Sequence, residues 1–110
     1  MSIRFGLSQH TVELIFAVFN KYPDIDQVLI YGSRATGTYA DGSDIDLVVV
    51  SQNLAFSKLL QVKSELGDLM IPYKVDISML SQINNTSLIE HIEKHGQVFY
   101  SKQRSGISDQ

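Results

Sequence analysis

The sequence predicts a small α/β domain: a mixed β-sheet with helices packed mainly on one face. Three observations predict it. Short apolar runs of strand type recur at Val28-Leu29-Ile30, Leu47-Val48-Val49-Val50 and Val75-Asp76-Ile77. Stretches with helical apolar spacing alternate with them, and a glycine-containing segment, 32–43, separates the first two runs.

The elements follow in order. Residues 9–21 read as an amphipathic helix, because Val12, Ile15, Phe16 and Phe19 recur at three- and four-residue spacing. Ser8 is its expected N-cap and Pro23 closes it. Residues 26–31 read as a strand covered on both faces. Gly32 to Ser43 is a functional loop with one helical turn after Ser33, and 44–50 is the second strand. A helix is expected over 55–67, with Phe56, Leu59, Leu60 and Val62 inward and Gly67 as the residue just past its end. Pro72 opens a third strand over 73–78, whose alternation sets Lys74, Asp76 and Ser78 on one face and Val75 and Ile77 on the other. A last helix is expected at 86–95, with Thr86 as N-cap, Leu88, Ile89 and Ile92 as its apolar stripe and Gly96 as its stop. Gln97 to Tyr100 reads as a short edge strand.

The composition excludes several classes. With 110 residues, one domain is expected, spanning 1–100, with a flexible polar tail at 101–110. The net charge of -3 argues against a broad nucleic-acid surface. The absence of cysteine rules out disulfides and thiolate metal sites and agrees with a cytoplasmic protein. No apolar run approaches the roughly 20 residues needed to cross a bilayer, and the first residues lack the apolar core of a signal peptide.

The chemistry concentrates in Tyr31-Gly32-Ser33-Arg34-Ala35-Thr36-Gly37 and the following Ser43-Asp44-Ile45-Asp46-Leu47. Side chains at i and i+2 of a strand share a face, so Asp44 and Asp46 are expected to project together. Paired carboxylates repel, and a hard divalent cation relieves the repulsion; Mg²⁺ typically takes one or two carboxylates plus substrate phosphates. Asp76 adds a third carboxylate if its strand neighbours the second. Gly32 permits close backbone approach to phosphate, Ser33 offers amide and hydroxyl donors, and Arg34 or Lys74 can add charge-assisted contacts. An isolated Asp-x-Asp is usually surface solvation, and a lone Gly-Ser turn means less. The ordered combination, with an aspartate inside a later apolar strand, carries the weight.

This combination resembles the signature of the DNA polymerase beta-like nucleotidyltransferases: apolar strand, Gly-Ser, spacer, Asp-x-Asp, then a later Asp flanked by apolar residues. More narrowly, the chain resembles the minimal nucleotidyltransferases (MNT proteins) over about residues 10–95. The resemblance implies the nucleotidyltransferase fold, two Mg²⁺ ions on Asp44 and Asp46, and Asp76 as a further ligand and base. It implies ATP as substrate, with the triphosphate held by Gly32, Ser33 and Arg34. Thr36 departs from the pattern, where many such sequences carry arginine. The resemblance also implies a helical HEPN toxin as partner, neutralised by AMP transfer to one of its tyrosines. The alternative is an antitoxin that masks the toxin by complex formation alone. Larger relatives carry extra acceptor-binding domains, so a partner or second copy, in a homo- or hetero-oligomer, is expected to supply the acceptor.

Other residues have simpler readings. His91 and His95 share a helix face but lack a third partner as zinc ligands, and His95 with Lys94 complements the helix C-terminus. Tyr31 and Tyr39 flank the loop and read as packing residues rather than base-stacking ones. Asp41 reads as a turn residue.

Overall fold

The computed structural model describes residues 5–102. Its elements are α1 (Gln9–Phe19), β1 (Gln27–Tyr31), α2 (Ser33–Thr36), β2 (Ile45–Val50), α3 (Phe56–Gly67), β3 (Val75–Met79), α4 (Thr86–His95) and β4 (Gln97–Ser101), with a 3-10 turn at Leu80–Gln82. The four strands form one sheet in the order β3-β2-β1-β4. β1 runs antiparallel to β2 and β4, whereas β2 and β3 are parallel, joined across α3. The mixed sheet and its edge strand β4 match the sequence expectation. Of the expected tail, Ser101 pairs with Gln27 and Lys102 donates its amide to Asp26 O at 2.9 Å, while 103–110 lie outside the described residues.

Alternation within the strands divides the interior into two clusters. Val28, Ile30, Ile45, Leu47, Val49, Ile77 and Met79 face α1 and α3, where they meet Ile15, Phe19, Leu59 and Val62. Tyr31, Val48 and Ile92 form a smaller cluster on the other face, with Leu29 and Leu88 against it. Most helical cover therefore lies on one face, and α4, with Leu80 and Ile83, partly covers the second. Leu29 stays half-buried, so the cover expected on both faces of β1 is thin on this side.

β4 breaks alternation: Phe99 and Tyr100 are consecutive yet both enter the main core. A register shift between Val28 and Leu29 accommodates this, as a β-bulge does. Phe16 then meets Phe99 and Tyr100 edge-on, at centroid distances of 5.3 and 5.1 Å.

Three local expectations are corrected. Asn85, not Thr86, caps α4, its side-chain oxygen accepting from Leu88 N at 3.0 Å. Gly67 is the last residue of α3, and Asp68 follows as a right-handed cap. The inward stripe of α3 is Leu59, Val62 and Leu66, while Phe56 and Leu60 are 56% and 49% exposed. A helix has one buried stripe, and the i, i+3, i+7 set is the one facing β3 and α1.

Candidate active site

The sheet edge where β1 ends and β2 and β3 begin assembles the site. In β1–β2 pairing Tyr31 lies opposite Asp46, and in β2–β3 pairing Asp46 lies opposite Asp76. In-register neighbours point to the same face roughly 4.8 Å apart. Tyr31, Asp46 and Asp76 thus form one row across three strands, on the face opposite the main core. The parallel pairing brings together two carboxylates that are distant in sequence.

Asp44 sits differently from the expectation. β2 begins at Ile45, so Asp44 lies just before the strand and is exposed. The Ile45 amide donates to Lys74 O at 2.9 Å, which ties the entry of β2 to the residue preceding β3. Lys74 is likewise outside its strand and exposed. Asp44 still acts on the site through its charge. Asp46 is pushed above the ordinary carboxylate range by burial, then by the charges of Asp76 and Asp44, while Arg34 pulls it down. The site is short of positive charge. The phenol of Tyr31 is pushed up to about 12, mainly by burial and also by Asp46 and Asp76.

The turn after β1 is built around Gly32, with φ 74° and ψ -155°. This conformation is essentially restricted to glycine. A Cβ there would stand 2.5 Å from Asp46 Oδ2, so the Asp46 carboxylate packs directly against the bare Cα. The chain then makes the single turn α2, closed by Gly37 in the left-handed region at φ 87°. Thr36, which departs from the arginine of many similar sequences, turns its hydroxyl back to the Ser33 and Gly32 carbonyls at 3.3 and 3.4 Å. Gln97 at the start of β4 donates to Ala35 O at 2.7 Å and holds the far side of α2.

Arg34 is turned into the protein. It is 2% exposed, and its guanidinium donates to Ser43 O through Nε at 3.1 Å and Nη2 at 2.8 Å. Nη1 donates to Phe5 O at 2.9 Å. The rings of Tyr39 and Tyr73 lie 5.0 and 4.9 Å from its central carbon. The sequence reading offers Arg34 as a triphosphate contact; here three of its N–H groups are engaged by carbonyls of the loop and of the N-terminal segment. Tyr39 accordingly serves as a cover for this cation.

The sequence reading paired His91 with His95 on one helix face and did not foresee that it reaches the Gly32 turn. From α4 its Nε2 accepts the Gly32 amide at 3.1 Å, and its ring meets Tyr31 edge-on at 6.2 Å. Only its position one residue before the buried Ile92 hinted at this.

Among the described residues, no three His, Cys, Asp or Glu side chains form a ready metal cage. The Asp46–Asp76 pair still fits Mg²⁺: the donors are all oxygen, the charge is uncompensated, and this ion takes few carboxylates when phosphates complete its shell. A cavity of about 580 Å³ opens at the other end of the strands, lined by Asp26, Gln27, Val50, Ser51, Leu80 and Lys102 among others. It contains neither of the paired acids Asp46 and Asp76.

Comparison with known proteins places the fold. No curated protein matches the chain. Among solved structures, a toxin–antitoxin complex with AMP-PNP superposes with a TM-score of 0.65 at 21% identity, over 84% of this chain and 74% of that one. The MntA-HepT toxin–antitoxin gives 0.62 at 18% identity, over 86% and 74%. A tri-AMPylated HEPN toxin of Shewanella oneidensis in complex with its MNT antitoxin gives 0.61 at 18%, over 86% and 72%. At such identities these likenesses show the shared fold. The family model for polymerase beta nucleotidyltransferases matches residues 13–105, nearly the whole chain, and the chain belongs to that family.

Proposed function

We propose that this protein is a Mg²⁺-dependent nucleotidyltransferase that moves AMP from ATP to a tyrosine hydroxyl of a HEPN toxin, and so acts as its antitoxin. The observation that carries the reading is the pairing of Asp46 with Asp76 beside the Gly32 turn. Support for the partner comes from the toxin–antitoxin complexes that share the fold.

Asp46 and Asp76 are the residues that would hold Mg²⁺, and the exposed Asp44 would contribute to a second ion. When bound, the metal neutralises charge developing on the phosphates. Gly32 and Ser33 would receive the triphosphate on their amides and the Ser33 hydroxyl. The acceptor oxygen attacks the α-phosphorus in line, the bond to the bridging oxygen breaks, and pyrophosphate leaves. Asp76, exposed at the row's end, takes the hydroxyl proton. Arg34 acts indirectly, by anchoring the backbone at Ser43 next to Asp44.

The second reading is a masking antitoxin. The exposed Phe56 and Leu60, four apart on α3, favour a standing protein interface. One experiment separates the two. The protein is purified with its helical partner, ATP and Mg²⁺ are added, and both intact masses are recorded. AMP additions on the partner, lost in Asp46→Asn, support transfer. A stable complex without mass change supports masking.

A further inference from the structure

His91 lies 59 residues after Gly32, yet the two are in hydrogen-bond contact. α4 explains the meeting. Ile92 is 2% exposed and is the buried residue of that helix, packed with Tyr31 and Val48 against the second face of the sheet. Fixing Ile92 fixes the rotation of the helix, which carries the preceding residue over the turn after β1. The ring of His91 is held between Tyr31, edge-on at 6.2 Å, and His95 at 5.1 Å. Its Nε2 accepts from Gly32 N at 3.1 Å, which requires the ring hydrogen on Nδ1.

The Gly32 amide is a donor that the proposed nucleotide site needs. Its peptide is held by a conformation reserved for glycine and by Asp46 packed on its Cα, so the N–H cannot swing to find a second acceptor. A phosphate oxygen bonded to it would sit about 2.9 Å from the nitrogen, in the volume His91 Nε2 now fills. One N–H directed at one acceptor cannot serve both well.

We propose that His91 is an affinity-setting residue of the nucleotide site: its Nε2 and a phosphate oxygen compete for the one Gly32 N–H, and nucleotide must exchange for it. This rests on the reading of the Gly32 turn as the triphosphate site. The bond satisfies a part-buried amide, and the competition for it lowers apparent nucleotide affinity.

The test is titration of the full chain with Mg²⁺ and a non-hydrolysable ATP analogue, followed by calorimetry. His91→Phe keeps a ring between Tyr31 and His95 and removes the acceptor; its Kd should fall about two- to tenfold, the range that one hydrogen bond spans. His91→Gln restores an acceptor and should return affinity toward wild type, a rescue that a purely structural role would not produce. Equal or weaker binding by a folded His91→Phe overturns the proposal. A second measurement needs no variant: the side-chain ¹⁵N signal of His91 Nε2 in wild-type protein. It should lose its hydrogen-bonded shift at saturation with nucleotide, and persistence of that shift overturns the proposal. If wild type binds no nucleotide, the site reading fails and the inference falls with it. If binding is abolished by Asp46→Asn but indifferent to His91→Phe, the inference alone fails.

Discussion

Replacing Arg34 with alanine, and separately with lysine, distinguishes a buried clamp from a phosphate ligand. The guanidinium donates three N–H groups to two carbonyl oxygens and is flanked by two tyrosine rings, at 2% exposure. Hydrogen bonds from a charged donor contribute about 1.5–3 kcal/mol each, and each ring adds roughly 0.5–1 kcal/mol. These do not add fully, because the loop relaxes when the clamp goes, so Arg34→Ala should cost about 3–5 kcal/mol. At about 4 °C per kcal/mol for a domain of this size, the Tm should drop by about 12–20 °C. Lysine keeps the charge and the stem but can follow only one direction of the planar fork, so its loss should be about 1–3 kcal/mol. Urea and thermal melts followed by circular dichroism measure both, and analogue binding is recorded at a temperature where each variant is folded. A lysine variant as stable as wild type that has lost nucleotide affinity would refute the clamp and restore the direct phosphate contact.

Four further outcomes are expected. Asp46→Asn should abolish transfer yet raise the Tm at neutral pH, because the native state disfavours the Asp46 charge; a raised pKa means stability is fullest below the unfolded value of 3.8 and is lost as pH rises through the higher native value, so the variant's advantage should vanish in acid. Mg²⁺ should stabilise wild type but not this variant, as read in melts with and without EDTA. Gly32→Ala should cost roughly 1–3 kcal/mol from its backbone region and crowd Asp46, weakening Mg²⁺-nucleotide binding well beyond the stability loss, as measured by calorimetry. Tyr31, with its phenol up at about 12 against an ordinary 10.0, contributes stability that is intact below pH 10 and lost as pH rises toward 12; the alkaline absorbance titration of wild type minus Tyr31→Phe should show that late component.

Much of this was legible locally. The element order follows from apolar period, and the Gly32 turn from a glycine between a strand and a polar loop. Asp76 stood out because an aspartate rarely sits inside an apolar strand. What the reading got wrong is equally specific. Asp44 and Lys74 were assigned to strands that begin one residue later, and strand ends depend on which backbone partners are available. Asn85 and Thr86 are both good caps, and local sequence does not choose between them.

By itself the sequence determined the types of element, their order and the ordered set Gly32, Ser33, Asp44, Asp46 and Asp76, because each depends on neighbours a few residues apart. Only the tertiary structure decided that Asp46 and Asp76 stand side by side, since that needs β2 and β3 to pair in parallel across α3. It also turned Arg34 inward, where the Ser43 and Phe5 carbonyls outcompete solvent for its donors. And it set His91 on the Gly32 amide, through the burial of Ile92 against a strand far away in the chain. Periodicity reports which face a residue occupies; what that face meets is set by packing between distant segments, which leaves no local trace.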